Sequence, residues 1–591
     1  MPDRLFAVAL ALAGTLLTAE AALASPPPPY RPIVPTHAAG TVTLTGRDLS
    51  IEDIVRVARD GARVEVTAAA RQREADNYGL LLEAAAEGVA VYWFNRGTAD
   101  QRETVLFEGD ALTPGNRALI EQTQLASFRQ GAVAGTAPEV LDEDVVRAMM
   151  VVRANTMIHN APSPALADML IELLNRRITP VVRSRGTVGE GDLAPLGNVG
   201  GTMIGAGEAY LKGVRMPAAR ALESAGLLPL KPFAADDNAL TSSNAYATGQ
   251  AALIVHDAER ALEWADLSYA LALEGMNSSV TPLSLVAQRD RPEPWLNWHA
   301  AHTLGLLRGS YLLEADPARI IQDPESLRAS SIRQASAWKA WAALKEAVLL
   351  QANSSDHNPA VALDASPSDS WELASPQLLR YFVKGGPLSH GRHGYIVSNA
   401  NWDPYPLANL IEGFTLALAN MDVAVMLRIE RFRNPLFTVV AAADVLPGVT
   451  RADDGYYAPV DLMQEIQSLA NPVLPLGSAL FADVEDLEAQ TRLKLAHARQ
   501  AVETTVDLLA YDLLEAALWV DVRRAQDPRR AFGAAPTAAW SALRRELPLA
   551  RDGAAPAEPA HAVAAAFLRG TAARTFVPAD ASRPDFNPGR R

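Results

Sequence analysis

Four short stretches hold the residues of this 591-residue chain whose types and spacing could do chemistry: VYWFNRG (91–97), GTVGEGDLAPL (186–196), QDPESLR (322–328) and NSSDHNP (353–359). In the second, Glu190 stands between Gly189 and Gly191, a carboxylate at the tip of a glycine-rich turn with little side chain around it. In the third, Arg328 carries a planar guanidinium that matches a carboxylate bidentately. It reads either as an anchor for an acidic substrate or as half of an ion pair with Asp323 or Glu325. Tyr92, close to Asn95, Arg96 and Gly97, reads as a functional phenol or as a plain core aromatic after a strand. His390 and His393 have H-x-x-H spacing, but a glycine-rich loop with no third ligand nearby makes them loop residues rather than metal ligands. A nucleophile elbow and a dinucleotide fingerprint are absent, and GGTMIGAGEA (200–209) falls inside an apolar helix where its glycines serve close packing.

The scaffold that must position these groups is large. At 49% hydrophobic residues and a mean hydropathy near zero, the chain has enough apolar surface for two or more sub-domains. A net charge of -15, from 53 basic and 68 acidic residues, disfavours nucleic acid or an anionic membrane as partner. The absence of cysteine removes disulfides, thiolate chemistry and zinc ribbons together. At the N-terminus, Arg4 precedes LFAVALALAGTLLTAEAALAS, and Ala22-Leu23-Ala24 makes a small-x-small cleavage site. Residues 1–24 therefore read as a signal peptide and 25–40 as a proline-rich linker. The product is expected to be exported, periplasmic or secreted, with no membrane span after processing.

Further on, LSIEDIVRVARDG predicts a short amphipathic helix with Ser50 placed to cap it three residues before Asp53. ARVEVT predicts a strand, AAARQREADNYGLLLEAAAEG a helix closed by Gly88, and VAVYWF a buried strand or extended turn. From about residue 240 the apolar spacing becomes helical over long stretches: 244–275, 297–313, 406–432 and 483–524. The last would be a helix of some 40 residues spanning ~60 Å, and it needs a bundle or a neighbouring subunit to cover its apolar stripe.

The four stretches, in this order, resemble the aromatic amino acid ammonia-lyases, the histidine, phenylalanine and tyrosine ammonia-lyases with the related aminomutases. The resemblance runs from about Gly40 to about Leu568. It implies a mainly α, ammonia-lyase (L-aspartase-like) superhelical fold: an N-terminal α+β domain (41–240) with the active-site loop, a central bundle of long helices (241–530) and a C-terminal helical segment and tail (531–591). It also implies a homotetramer in which each site is built from three chains.

In that family the loop reads G-S-V-G-A-S-G-D-L-x-P-L, and its Ala-Ser-Gly cyclises and dehydrates to the electrophile methylidene-imidazolone (MIO). Here the loop is one residue shorter and Glu190 stands in place of Ala-Ser, so MIO is expected to be absent and no other cofactor or metal is implied. Tyr92 falls on the family's catalytic base, with Asn95 and Gly97 on its Tyr-Gly-x-Asn-Thr-Gly pattern. Gln322 and Arg328 fall on QDPYSLR, whose arginine pairs with the substrate carboxylate, and Glu325 replaces its tyrosine. NALTSSN (238–244) lacks the family's L-I-N-G asparagine, leaving Ser242 or Asn244 as substitute. SALFADVED (478–486) puts the family's active-site glutamate on Ala482 and keeps Asp483, and Asp403 in NWDPYP stands where a histidine would be.

The resemblance therefore assigns catalysis to Tyr92, Glu190 and Glu325, and substrate binding to Arg328, Gln322, Asn95, Asn244 and Ser242. Glu190 and Glu325, if both face the pocket, would form a carboxylate pair able to act as a base or to seat a cation; the alternative is that they are solvated residues with no role. General acid-base help typically gives ~10²–10⁴ in rate, too little for Tyr92 alone to deaminate an ordinary aromatic amino acid. The expected activity is thus carbon–nitrogen bond elimination from an amino-acid-like substrate whose nitrogen already leaves well, such as a cationic betaine, for which the family's ergothionase-like members give precedent. The alternatives are an ordinary MIO lyase with a misaligned loop, and a pseudoenzyme binding an amino-acid-like ligand or a partner.

Overall fold

A computed structural model describes residues 30–36, 38–451, 457–553 and 558–577. The signal peptide expected over 1–24 lies outside the described residues, as does the end of the C-terminal tail. Among the described residues the chain is mostly helix with five small sheets.

The first parallel pair, β1 (Thr41–Leu44) with β2 (Arg63–Val66), brackets α1 (Ile51–Ala58). The Ser50 hydroxyl accepts from the Asp53 N–H at 3.0 Å, so the expected cap forms, and Ile51, Ile54, Val55 and Val57 turn into the core. Helix α2 (Ala68–Ala86) follows, as its spacing predicts. VAVYWF is not a strand: residues 92–95 make successive turns, Trp93 takes a left-handed backbone (φ 59°), and the segment closes by an isolated bridge from Arg96 to Val105.

After β3 (Thr136–Val140), α3 (Glu143–Thr156) is buried at every residue but Asp144. The strands β4 (Ile178–Pro180) and β5 (Arg183–Arg185) lead into the loop of interest and α4 (Leu193–Met203). GGTMIGAGEA is thus split. Its first residues end α4, Gly205 and Gly207 turn with positive φ, and β6 (Glu208–Leu211) begins and pairs with β7 (Val214–Pro217).

Helix α5 (Ala245–Met276) is the axis of the molecule. With 27 of its 32 residues buried it has no polar face to give to water, and it is covered on one side by α3 and on the other by the bundle. Helices α6 (Pro294–Leu306), α7 (Glu325–Arg328), α8 (Ser330–Ala352), α9 (Tyr405–Arg431) and α10 (Thr491–Gln526) complete the bundle, with α11 (Ala560–Gly570) against α10. A three-stranded antiparallel sheet, β8 (Ala360–Leu363), β10 (Gly394–Val397) and β9 (Phe382–Val383), lies beside α2.

Two expectations shift. The helix expected at 297–313 starts earlier and ends at Leu306, a 3-10 turn carrying the rest of its run. The one expected at 483–524 begins only at Thr491: residues before it form the hairpin β11 (Gly477–Ala479) and β12 (Glu485–Leu487), with Phe481, Ala482 and Asp483 all at positive φ. At 36 residues α10 still spans ~54 Å.

A buried ion pair locks the bundle. Arg428 of α9 donates to Asp512 of α10 at 2.6 Å and to Ser330 of α8 at 2.8 Å, while Ser268 of α5 donates to the same Asp512 oxygen at 2.7 Å. Four helices therefore share one satisfied polar node with no access to water.

Candidate functional site

The loop 186–192 is held where three helices begin. Gln490, just before α10, donates its N–H to the Val188 carbonyl at 2.8 Å. Asp192 precedes α4, donates its N–H to Ser243 at 2.6 Å, and accepts from the Ala247 N–H in the first turn of α5 at 3.0 Å. Asn244 accepts from the Gly191 N–H at 3.2 Å. Gly189 (φ 94°) has no room for a side chain, because a Cβ there would sit 2.8 Å from the Gln490 nitrogen. The orphan N–H groups at the head of α5 are met by carboxylates on two sides: Asp192, and Asp356, which accepts from the Asn244 N–H at 2.9 Å and the Ser243 hydroxyl at 2.6 Å. Arg153, wholly buried, backs Asp356 at 3.3 Å.

In front of this loop lies a cavity of about 270 Å³. Tyr92, Trp93, Arg102, Glu190, Ser242 and Trp402 line it together with Glu485, Asp486 and the amide of Asn358. Its floor is a fixed polar network. Ser242 accepts from the Asn358 N–H at 3.3 Å, and Asn358 accepts from the Ser398 hydroxyl at 3.1 Å and the Asn399 N–H at 3.0 Å, because β8 and β10 pair and set the residues flanking them side by side. Trp402 is fixed by donating its indole N–H to the Asn399 carbonyl at 3.1 Å.

Burial pushes the Glu190 carboxyl up to about 8, helped by the nearby carboxylates of Asp403 and Glu488, and one of its oxygens has no partner. Tyr92 is also raised above the ordinary phenol value, by burial first. Against that, the Ala99 N–H donates to its oxygen at 3.3 Å; Glu485 raises it further and Arg102 pulls it down. Asp192, buried completely, is raised to about 7.

The structure thus brings Tyr92, Glu190 and Ser242 into one cavity, with Asn244 directly behind the loop. Asn95 is near but committed: its amide accepts from the Val91 N–H at 2.7 Å and donates to the Val89 carbonyl at 2.8 Å, holding the turn that presents Tyr92. Gln322, Glu325 and Arg328 are not in the cavity of their own chain. Tyr269, some 24 residues along α5 from its start, donates to the Leu327 carbonyl at 2.7 Å, which places α7 ~36 Å down the helix from the loop. There Glu325 is exposed and pairs with Arg328 at 3.2 Å, the ion-pair arrangement that its spacing allowed.

Glu325 therefore does not pair with Glu190 within one chain. Glu485 and Asp486 on β12 line the same cavity as Glu190, three and four residues after Ala482, whereas the carboxylates that act on Glu190 are Asp403 and Glu488. Glu485 is itself raised by burial. Trp93, Arg102, Trp402, Glu485 and Asp486 are the residues that sequence reasoning passed over, although NWDPYP and SALFADVED had already marked two of the segments. His390 is exposed on a turn and His393 is half-buried just before β10, against the Phe382 ring, and no group of metal-ligating side chains occurs among the described residues.

A larger hollow of about 750 Å³ opens at the side of α5 and α10. Several of its ionic groups pair with one another, Arg59 with Asp144 and Asp257, Arg499 with Asp142 and Glu503. None of the residues singled out from the sequence lines it.

The profile of a protein family described as aromatic amino acid lyase matches residues 49–545. Among curated proteins, a histidine ammonia-lyase of Sorangium cellulosum is 31% identical over 539 residues, covering 87% of this chain and 96% of that one. A probable histidine ammonia-lyase of Halobacterium salinarum is 29% identical over 522 residues, covering 86% and 93%. Among solved structures, ergothionase from Treponema denticola, in complex with desmethyl-ergothioneine sulfonic acid, superposes with a TM-score of 0.75 at 23% identity, covering 90% of this chain and 99% of that one. Histidine ammonia-lyase from Trypanosoma cruzi gives 0.75 at 20% identity, with coverages of 92% and 96%.

Proposed function

This chain belongs to the aromatic amino acid lyase family, and from that premise we propose that it is a carbon–nitrogen lyase that works without MIO, eliminating a tertiary amine from the cationic betaine of an amino acid. The observation that carries the reading is the cavity wall. A phenol stands among three carboxylates and two indole rings, and Glu190 sits on the loop that elsewhere in the family builds the electrophile. Gly189-Glu190-Gly191 does not fit MIO: the ring needs a serine to lose water to a methylidene, and a Glu side chain has no such hydroxyl.

A quaternary ammonium suits this wall. Indole faces and carboxylates attract it, and it leaves as a neutral amine with no electron sink. The Tyr92 phenolate takes the β-proton, the C–H electrons become the Cα=Cβ bond, and the C–N pair departs with the amine. The products are an unsaturated acid and trimethylamine, and the tyrosine then returns its proton to water. By family resemblance the working form is a homotetramer in which Gln322 and Arg328 reach a site on another copy, since their own cavity is ~36 Å away. The ergothionase neighbour supports the substrate class by analogy of fold.

Incubation with the betaines of histidine, phenylalanine and tyrosine should release trimethylamine and the matching unsaturated acid. Absence of both products, with wild type equal to Tyr92→Phe, overturns the reading. The mass of the peptide 183–200 should be unmodified, and a loss of two waters would restore MIO. A second reading follows from the Arg328–Glu325 pair, which ties up an acid anchor inside the chain: a ligand-binding pseudoenzyme, favoured if calorimetry shows binding without turnover. Export is proposed from the leader alone, and N-terminal sequencing of secreted material starting near Ser25 tests it.

A further inference from the structure

We propose that the hollow between the β1–α1 loop, α2 and β8 binds a tetrahedral oxyanion, phosphate or the phosphate group of a small ester, and that Arg47, Arg73 and Ser355 hold it. The site is separate from the cavity at Glu190 and does not depend on the lyase reading.

The hollow measures about 480 Å³, and Arg47, Arg73, Arg392, Asp76 and Asp364 supply its charged groups. Both of its carboxylates are engaged. Arg392 donates its Nε to one oxygen of Asp364 at 2.8 Å and one terminal nitrogen to the other, and its second terminal nitrogen to Asp76 at 2.7 Å. The remaining Asp76 oxygen accepts from the Gln72 amide at 2.9 Å. Arg47 and Arg73 are left over: among the described residues neither forms an ion pair. The Arg47 guanidinium makes no hydrogen bond there, and that of Arg73 makes one, to the Thr45 carbonyl at 3.5 Å. Each guanidinium presents five N–H donors in a rigid fork, so most of this donor capacity meets no protein acceptor.

The His159 imidazole, which also lines the hollow, registers how closely the two charges converge. It donates its Nε2–H to the Gly46 carbonyl at 2.8 Å. Its affinity for a second proton falls below the ordinary imidazole value, through burial first and, against that hydrogen bond, through repulsion by Arg73 and Arg47, with Asp356 a smaller opposing influence. Two guanidiniums that repel one imidazole are relieved by an anion placed among them.

Ser355 adds a donor of another kind. Its hydroxyl oxygen is buried and has no hydrogen-bond partner among the described residues, a costly state that an oxyanion would end.

The donors stand on a fixed frame. Asn353 accepts from the Leu49 N–H at 2.7 Å and donates to the Leu49 carbonyl at 2.9 Å, which joins the loop carrying Arg47 to the segment carrying Ser355. The Gly46 N–H donates to Asn155 at 2.9 Å and fixes the same loop from below. Arg73 enters from a third side, on α2. Donors from three directions suit an anion with three or four oxygens better than the two coplanar oxygens of a carboxylate.

The test titrates inorganic phosphate, glycerol 1-phosphate and acetate calorimetrically into the full chain, with chloride holding the ionic strength constant. Wild type should bind one phosphate per chain, about tenfold or more tighter than acetate. Arg47→Gln and Arg73→Gln should each weaken phosphate about tenfold, and Ser355→Ala about threefold, in line with the loss of charged and neutral hydrogen bonds. Arg102→Gln, in the other cavity, should bind phosphate as wild type does. An ester bound as tightly as the free ion assigns the hollow to phosphate esters, and an ester bound more weakly assigns it to the free ion. Neither arginine change breaks an ion pair, so the variants should melt with the wild type. Should Arg73→Gln misfold, Arg47→Gln, at an exposed loop residue, decides alone.

A wild type that binds phosphate no better than acetate overturns the proposal. So does tight phosphate binding that survives in the combined Arg47→Gln, Arg73→Gln protein, or that is lost in Arg102→Gln instead.

Discussion

Glu190 titrates within the range in which such a protein works, and this gives the site a pH signature. Its value of about 8 means that it ionises as the pH passes from 7 to 9, so betaine binding by wild type should tighten over that interval and stay flat in Glu190→Gln, as calorimetry at stepped pH will read. The same shift has a stability consequence of fixed sign. The folded value lies above the ordinary carboxyl value, so the folded chain keeps a proton that the unfolded chain gives up, and stability falls as the pH rises from about 4.5 to about 8. The gain in melting temperature of Glu190→Gln over wild type should therefore grow between those limits and level off above them. Tyr92→Phe should lower kcat/KM on a betaine by ~10²–10⁴, the usual worth of a positioned base. Tyr92, Glu190 and Ser242 were legible as candidate site residues because each lies in a segment that the family resemblance marks, even where the segment departs from the family's pattern. Trp93, Arg102, Trp402 and Glu485 were not, because what unites them is the meeting of three loops from distant parts of the chain, and no local pattern records which loops meet.

At the scale of elements, the bundle depends on nodes that no single helix explains. Asp512→Ala should destabilise the fold by ~3–5 kcal/mol, measured by denaturant unfolding, because Arg428 would be left charged and unpaired between α5, α8, α9 and α10. Gly189→Ala should cost ~1–3 kcal/mol and displace the loop, since its backbone is left-handed and the added carbon meets the nitrogens of Gln490 and Thr491. Long helices were readable from apolar periodicity, and α1 from its cap, because those signals are local. The hairpin ahead of α10 was not: Phe481, Ala482 and Asp483 all adopt left-handed backbone, a conformation their residue types do not announce, and apolar Val484 and Leu487 kept the helical rhythm going through it.

For the whole molecule, the hairpin points outward. Leu474, Leu476, Phe481 and Leu487, on it or just before it, are 77, 59, 54 and 65% exposed, an apolar surface that a solitary chain would leave to water. In the proposed tetramer a second copy would cover it. Native mass spectrometry should find about four times the 63.2 kDa chain mass, less any leader, and Phe481→Asp with Leu487→Asp should shift the assembly toward smaller species. The loop under that hairpin also limits what a point change can restore. A serine in place of Glu190 would stand in a turn one residue shorter than G-S-V-G-A-S-G-D, clamped by Gly189 against Gln490 and by Gly191 on Asn244. The longer loop needs an inserted residue and the release of both clamps, so Glu190→Ser alone leaves the turn without an Ala-Ser-Gly run.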